Sequence, residues 1–582
     1  MTPTSTPEWA PRSRVESSVI ESSASKGVYS ADSKSIGYAT FGDLSWGNSK
    51  NTASVGILSS SNISYSYSLF GKDSVKSKVA SSGATLNFMN GTIKDEAKLL
   101  EEHNAAVARI QKQVRFFHDN KRKFRIYHGS TSSTRPISFT RDSIVDTSDM
   151  DRLFPVDLQT MTVRAEPKVP MDALAAHTLK HGVVPKIVME FKGITVGGGY
   201  SGFSGESSMY RYGLFSNTVS DIEIVLGDGA LETASRTHNA DLLEHAAGSL
   251  GTFGIVTLLT VELIPAKPCV RIDLQLVDTV EKAHDLFETA AVDESIHFID
   301  GVYFGKGQIA VMFGRWVDAP PAGERNLRKM EVHWFADTIE AVLRKKPTPE
   351  KPASLYMDTT DYLFRYDHGA FWGGKLAFKH FHVPQNALTR RLADPFMDSR
   401  TCYHALHKSG LAEMYVVQDF GIPASTVSQF ISFVNETLPE LQIFLAPCKS
   451  AREIGLTSRF NSRVSEVADQ RIFAVGVYGK GPRDPKAFYE LNRKLELRSA
   501  ELLGAKLLYA RTYYTEDEFW LIYDRPIYEE MRTKYRAQGL PDVYEKLKAD
   551  MGVGAPKMRP VRGILETMWD KAVGNKEYLL KK

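Results

Sequence analysis

The sequence predicts an α+β protein with two folded domains, and three observations support this prediction. At 582 residues the chain exceeds the length at which a single hydrophobic core usually stops growing. Glycine-rich loops separate the helices and strands of the first half. Near Val270 the pattern changes to alternating apolar strands with helices between them, which indicates a second domain built on an antiparallel sheet.

Composition narrows the possible classes of function. Apolar residues make up 42% of the chain and the formal charge is +3, which argues against an electrostatic nucleic-acid binder. The three cysteines, Cys269, Cys402 and Cys448, form no CxxC motif, so neither a metal site nor a disulfide framework is predicted. No stretch reaches about 18 consecutive apolar residues, and the N-terminus lacks an apolar signal region. We therefore expect a cytoplasmic protein or one bound peripherally to a membrane.

The elements of the first domain can be predicted in order. Residues 1–92 are rich in Ser, Gly and Asn, which predicts a mobile arm. Apolar residues then recur at helical intervals, so a helix is expected from near Lys94 to about Lys121. Strand FRIYH, a strand pair and a helix between Pro170 and Gly182 follow. The run DIEIVL, a turn, the helix NADLLEHAAG and the strand GIVTLLTVELIP complete this domain.

The second domain is predicted as a half-solvated antiparallel sheet backed by helices. Its strands include IHFIDGVYF, QIAVMFGRW, MYVVQDFG, QIFLAPC and RIFAVGVYG. A long helix, the strand LLYARTYY and two further helices come next. The basic end of the chain, residues 550–582, is predicted to be an appended tail.

The glycine-rich stretch from Gly193 to Gly213 contains a match to a dinucleotide-binding motif, the Rossmann fingerprint. Gly197, Gly199 and Gly202 match GxGxxG, and Asp221 follows at about the spacing of a ribose-binding acid. A Rossmann turn opens directly into a helix that faces the pyrophosphate. No apolar helical stripe follows here, so we interpret the match as coincidental.

Three loops together give a stronger signal than any one of them. GSTSSTRP (residues 129–136), the stretch just described, and GSLGTFG (residues 248–254) each present small residues between regular elements. A nest of backbone amides binds anions without a charged side chain. Together the loops predict a binding site for a long anionic dinucleotide, FAD.

In this order the three loops resemble the FAD-binding domain of the vanillyl-alcohol-oxidase, or PCMH-type, superfamily. Residues 94–549 are most similar to its delta-24 sterol reductase, Diminuto-like, branch. This finer resemblance depends on YRYGLF, IPAK, YVVQDFGIP and LLYARTYYTEDEFW.

The resemblance implies a fold and a division of the chain. We expect a two-lobed PCMH-type FAD-binding domain at 93–268 and an α+β cap domain with an antiparallel sheet at 269–480. Residues 481–549 would return to the flavin site, and the arm and the tail would flank these parts.

The resemblance also implies which residues contact FAD. Non-covalent FAD is expected, because the first loop carries no histidine, although His128 directly precedes it, and the second loop has no cysteine. The predicted cofactor-binding residues are Gly129, Ser130, Thr131, Ser132, Ser133, Thr134, Arg135, Glu190, Gly193, Thr195, Val196, Gly197, Gly198, Gly199, Ser201, Gly202, Gly205, Gly248, Gly251, Gly254, Ile255 and Val256.

The implied activity is FAD-dependent reduction of a carbon–carbon double bond in a sterol-like side chain, with NADPH as electron source. Such a reduction needs a proton donor. The candidate catalytic residues are Tyr509, Tyr513 and His368, with Tyr514 and Tyr366 beside them. The expected substrate is apolar, and peripheral contact with the endoplasmic reticulum membrane would suit it.

Two other functions remain open from the sequence. A flavin oxidase or dehydrogenase of an alcohol, a hydroxy acid or a secondary metabolite would use the same loops. A sterol-binding scaffold without turnover is the third hypothesis, and three intact glycine loops argue against it.

Overall fold

The computed structural model describes residues 83–580 except 130, 136, 306, 325, 328–333, 440, 456–461, 550–557 and 575–578. Most of the predicted arm and Ser130 of the first loop therefore lie outside the described residues. Helix α1 (Gly83–Asp119) begins earlier than the predicted start at Lys94. Residues 1–92 have a low apolar content when they are taken as one segment, so the sequence did not indicate that the helix begins within them. The apolar stripe of α1 is buried against Phe124 and Val145 from Val107 onward, whereas Leu100, its predicted first residue, is exposed.

The first domain consists of two small lobes, as predicted. Its elements are β1 (Arg125–Tyr127), β2 (Ile144–Asp146), β3 (Leu153–Asp157), β4 (Thr162–Ala165), α2 (Met171–Leu179), β5 (Val183–Pro185), α3 (Val196–Ser201), α4 (Met209–Tyr212), β6 (Val219–Leu226), β7 (Leu231–Ser235), α5 (Ala240–Ala246) and β8 (Gly254–Pro265). Strands β1 and β2 form a parallel pair. The larger sheet is antiparallel, in the order β3-β4-β8-β6-β7, and β5 also pairs with β8.

The cap domain and the C-terminal segment follow. Their elements are β9 (Cys269–Val277), α6 (Val280–Ala291), β10 (Phe298–Tyr303), β11 (Ile309–Val317), β12 (Asn326–Leu327), α7 (Phe335–Leu343), β13 (Ala353–Asp358), α8 (Thr359–Leu363), α9 (Gly373–His380), α10 (Ala387–Ala393), α11 (Ser399–Ser409), β14 (Tyr415–Pro423), α12 (Val427–Thr437), β15 (Gln442–Ser450), β16 (Arg471–Lys480), α13 (Pro485–Glu501), β17 (Ala505–Lys506), α14 (Glu516–Ile522), α15 (Arg525–Lys534), α16 (Val543–Leu547) and α17 (Pro560–Ala572). The cap sheet has the order β12-β13-β9-β11-β10-β15-β16-β14-β17, and its long strands are antiparallel. The predicted α+β cap with an antiparallel sheet is confirmed.

The expectation of a half-solvated cap sheet is wrong, because both faces of its central strands are covered. Every residue of β10 is buried. Along β14, alternation turns Phe420 toward Phe430 of α12, with ring centroids 5.1 Å apart, whereas Asp419 faces an internal cavity. One face therefore packs on helices and the other lines a cavity.

The prediction of a strand at LLYARTYY, residues 507–514, is also wrong. Only Ala505–Lys506, just before this run, pairs with β14. The amides of Tyr513 and Tyr514 instead donate to the Glu496 carboxylate, at 2.8 and 3.0 Å. This segment therefore folds as a loop around a buried acid. Among the described residues, no helix is both long and apolar enough to cross a bilayer.

Candidate FAD and substrate site

One cavity of about 1020 Å³ connects all three predicted loops with the cap sheet and the C-terminal segment. Its volume lies at the upper end of the usual range for cofactor and ligand sites. Its lining includes basic side chains, among them Arg125 and Arg135, and aromatic side chains that include Phe371 and Phe444. The cavity therefore has a cationic part and an apolar part.

Five basic side chains of the lining lie near one another: Arg125, His128, Arg135, Lys168 and Lys546. Burial lowers the pKa of Arg135 to about 10, so this side chain stays charged at neutral pH. Burial, with the nearby charges of Arg135, Arg125 and Arg532, lowers the pKa of Lys546 to about 7. Burial and neighbouring cations lower the pKa of His128 to about 4, which keeps its imidazole neutral.

The hydrogen bonds that Arg135 and Lys546 donate go to neutral acceptors, whereas the charge of Glu545 acts on Arg125. Arg135 donates to Ser133 Oγ at 3.1 Å and to the Lys546 carbonyl at 3.3 Å. Lys546 Nζ donates to the carbonyl of Leu250 at 2.5 Å. These acceptors are neutral, and the charges that act on Lys546 are all positive. A buried cationic cluster of this kind fits the diphosphate of FAD.

Backbone hydrogen bonds join the second and third loops. The amide of Gly248 donates to the carbonyl of Tyr200, and the amide of Leu250 to that of Ser201, both at 2.9 Å. Gly248 has φ +62°, and a side chain there would overlap the ring of Phe203. This glycine therefore allows the protein to pack closely on itself.

The GxGxxG stretch differs in one respect from what the sequence predicted. The GxGxxG stretch does form a short helix, α3, whose N-cap Thr195 accepts a hydrogen bond from the Gly198 amide at 3.1 Å. The preceding strand β5 pairs antiparallel with β8 rather than entering a parallel sheet. The predicted absence of a helix is wrong, but the antiparallel surroundings still exclude a Rossmann unit.

Acidic and phenolic side chains also belong to the lining of the cavity. Tyr509 donates its hydroxyl to Asp419, and Tyr478 donates to the other oxygen of Asp419 at 2.5 Å. Burial raises the pKa of Asp419 to about 6, against the opposing effect of these hydrogen bonds. Burial, with the charge of Glu206, raises the pKa of Glu190 to about 8. Glu190 is therefore mainly a neutral acid at pH 7.

Most of the predicted site residues lie together on this cavity, and the others lie outside its lining. Those on the lining are Thr131, Ser132, Ser133, Arg135, Glu190, Gly193, Thr195, Gly197, Gly198, Ser201, Gly202, Gly205, Gly248, Gly251, Gly254, Ile255, Val256 and Tyr509. Those outside it are Gly129, Thr134, Val196, Gly199, Tyr513 and His368.

Three of the predicted residues that lie outside the lining make specific contacts elsewhere. Tyr513 belongs to the hydrophobic core of the cap, where its ring lies 5.4 Å from that of Tyr489. His368 Nδ1 lies 3.3 Å from a carboxylate oxygen of Asp394. Gly199 contacts the side chain of Met189 on the inner side of α3.

Sequence reasoning missed Asp419, Tyr478, Arg125 and Lys546. The signal for Asp419 was present, because an acid within the apolar run YVVQDFGIP has to be buried and paired. Lys546 carried no comparable signal, since it lies in a charged helix far along the chain.

Comparison with known proteins bears on the cofactor. Residues 105–235 match the profile of the FAD binding domain family. The cofactor is therefore FAD.

Delta(24)-sterol reductase homolog dhcr-24 of Caenorhabditis elegans is 24% identical over 477 residues, covering 76% of this chain and 87% of that protein. Human Delta(24)-sterol reductase is 25% identical over 462 residues, covering 76% and 86%. The Pisum sativum Delta(24)-sterol reductase is 27% identical over 447 residues, covering 69% and 76%. The resemblance to delta-24 sterol reductases is confirmed.

Proposed function

We propose that the protein is an FAD-dependent reductase of a carbon–carbon double bond in a sterol-like side chain, with NADPH as electron source. The observation that carries the proposal is one cavity whose lining combines a cluster of basic side chains, the glycine loops, acids and aromatic side chains. The activity named for the relatives is of the same kind.

The protein's own residues would hold the cofactor by its charge. Arg135, Lys546 and Arg125 would hold the diphosphate, and the backbone amides of the second and third loops would contact the rest of the cofactor. Bound FAD supplies the hydride for one carbon of the double bond.

Tyr509 is the best-placed proton donor for the second carbon. Its hydroxyl lines the cavity and is oriented by Asp419. Burial raises the pKa of Tyr509 well above its ordinary value, so its proton moves readily only if another group replaces it. Asp419, with a pKa of about 6, is mainly ionised at pH 7, so it orients the phenol and can return a proton to it only after taking one up from solvent. Glu190 is a second neutral acid on the same lining.

Non-covalent attachment of FAD is part of the proposal. Cys402 and Cys448 line the cavity, but burial raises the pKa of both thiols to about 12, so both remain weak nucleophiles at neutral pH. Precipitating the protein with acid tests this: the yellow colour should appear in the supernatant, and colour in the pellet would mean a covalent bond.

The reaction is tested by adding NADPH to the yellow protein under argon, and then a sterol with a double bond at carbon 24. We expect the flavin absorbance to fall with NADPH and to return with the sterol, with one saturated product per flavin. Bleaching by an alcohol but not by NADPH would instead indicate an oxidase or dehydrogenase. Folded protein that binds the sterol without any flavin would indicate a scaffold.

A further inference from the structure

Strand β16 has a glycine directly opposite Asp419. In the antiparallel ladder of β14 and β16, Asp419 pairs with Gly476, and Val417 pairs with Tyr478. Side chains that face each other across such a ladder lie on the same side of the sheet, and a diagonal neighbour is within reach of an aromatic side chain. Tyr478 is this diagonal neighbour of Asp419, and its hydroxyl donates to Asp419 Oδ1 at 2.5 Å.

The missing side chain of Gly476 makes this hydrogen bond possible. A Cβ at position 476 would lie 2.5 Å from the hydroxyl oxygen of Tyr478 and 2.8 Å from Asp419 Oδ1. Gly476 is not one of the residues with positive φ, so the backbone conformation here does not require glycine. What this position requires is the space that the Tyr478 side chain crosses to reach Asp419.

Neighbouring aromatic residues hold the Tyr478 ring in this position. The ring centroids of Phe371 and Trp372 lie 5.2 and 5.6 Å from that of Tyr478. Trp372 Nε1 donates to the carbonyl oxygen of Tyr478 at 2.8 Å. Burial raises the pKa of Tyr478 well above its ordinary value, so its hydroxyl remains a hydrogen-bond donor at neutral pH.

Several elements bring polar groups to Asp419. Burial raises its pKa to about 6, and the two phenols that donate to it, together with the charge of Lys506, act in the opposite direction. Among the residues that the structure describes, only Tyr478 and Tyr509 hydrogen-bond to this carboxylate. The polar groups near Asp419 are phenols and one ion pair: Tyr478 of β16, Tyr509 of the C-terminal segment, Tyr403 of α11, and Lys506 of β17 with Glu496 of α13.

The two phenols bind different oxygens of Asp419, which decides where a proton on this carboxyl group resides. An ionised carboxylate only accepts hydrogen bonds, whereas a protonated one has a single O–H donor. Because Tyr478 remains a donor to Oδ1, a proton that Asp419 takes up belongs on Oδ2, the oxygen that faces Tyr509. From Oδ2 it can pass to the Tyr509 oxygen as the phenol hydrogen leaves for the substrate carbon, and Asp419 returns to the carboxylate form.

We propose that Tyr478 is a positioning residue, which directs the proton of Asp419 to the oxygen that faces Tyr509 and sets the pH at which Asp419 holds that proton. Delivery of the proton to a substrate rests on the proposed function. Control of Asp419 by Tyr478 is a property of the protein that can be measured without a substrate.

Infrared spectroscopy of the protein with bound FAD tests the control of Asp419 directly. The carboxylic C=O band that the D419N variant lacks should disappear as the pH rises through the pKa of Asp419. In Y478F the midpoint should move up by about one pH unit, because a hydrogen bond that favours the carboxylate is lost. G476A should move it in the same direction with Tyr478 still present. As a matched control, Y415F replaces another tyrosine of β14 that lines the cavity and should keep the wild-type midpoint.

The pH dependence of the sterol step tests the relay. The rate of sterol-dependent flavin reoxidation should fall as the pH rises, and in Y478F this fall should move up by the same interval as the infrared midpoint. A purely structural defect would lower the rate at every pH without moving the fall, and equal flavin absorbance shows that the variants fold.

An unshifted infrared midpoint in Y478F would overturn the proposal, and so would an infrared shift without a matching shift of the rate. A shifted midpoint in a protein that reduces no sterol would support the control of Asp419 by Tyr478 and would contradict the proposed function instead.

Discussion

Tyr509 donates its hydroxyl hydrogen to a carboxylate oxygen of Asp419, which lies 90 residues earlier in the chain. This hydrogen bond joins the C-terminal segment to strand β14 of the cap sheet, and both residues line the cavity. Burial raises the pKa of Asp419 to about 6, so a phenol that faces the cavity is coupled to a carboxyl group that titrates near neutrality.

Replacing Tyr509 with Phe should slow the sterol-dependent reoxidation of the reduced flavin by about 100-fold, because the proton donor is removed. FAD affinity should not change. Tyr513→Phe is the matched control, since this tyrosine lies in the cap core and outside the cavity lining. Stopped-flow absorbance measures both rates, and equal rates in the two variants would remove Tyr509 from the mechanism.

The pH dependence of stability should report on Glu190. Burial raises its pKa to about 8 from an ordinary value near 4.5, so the native state favours the protonated form. Its contribution to the free energy of unfolding is fully present below pH 4.5 and is lost as the pH rises through 8, by about 1.4 kcal/mol for each pH unit between these two values. Between pH 5 and 8 the thermal midpoint should fall more in the wild type than in Glu190→Gln. The exposed-site variant Glu490→Gln should follow the wild type.

Replacing Lys546 with Met should weaken FAD binding by about 10- to 100-fold, because a charged hydrogen-bond donor to the diphosphate is lost. Riboflavin, which has no phosphate, should bind both proteins equally. Lys548→Met, an exposed lysine two residues away, is the control. Titration by flavin fluorescence measures the affinities, and an equal loss for FAD and riboflavin would place Lys546 elsewhere than at the diphosphate.

Gly248→Ala should destabilise the protein and abolish FAD retention, because a Cβ at this position overlaps Phe203 and φ is +62°. Gly182→Ala separates the two causes: its φ is +71°, but no other atom lies within 4 Å of the added carbon. This control should cost about 1 kcal/mol from backbone strain alone. The thermal midpoint and the bound flavin absorbance should therefore fall far more in Gly248→Ala.

Local patterns predicted much of the fold correctly. Pro170 and Gly182 bracket α2 as expected, and Asp228 and Gly229 lie in the turn between β6 and β7. These features depend on the conformational limits of proline and glycine, which act within a few residues. FAD as the cofactor and the resemblance to sterol reductases were also predicted from short contiguous motifs, and both are confirmed. Contact of the three glycine loops with FAD stays a prediction.

The errors arose where the environment of a segment decides its structure. The run LLYARTYY has strand propensity, yet the amides of Tyr513 and Tyr514 donate to Glu496 of helix α13 rather than to a neighbouring strand. The choice among Tyr509, Tyr513 and Tyr514 depends on which ring faces the cavity, and adjacent residues can differ completely in this. The pairing of Asp419 with Tyr509 and of Arg135 with Lys546 joins distant parts of the chain, so no local pattern reveals it.

The bond between Arg135 and the Lys546 carbonyl joins residues 411 positions apart. During synthesis all three glycine loops leave the ribosome hundreds of residues before α16, which carries Lys546. If Lys546 binds the diphosphate as proposed, the FAD site is completed only at a late stage of synthesis. A chain that ends before α16 would then keep its glycine loops but bind FAD more weakly than the full-length chain.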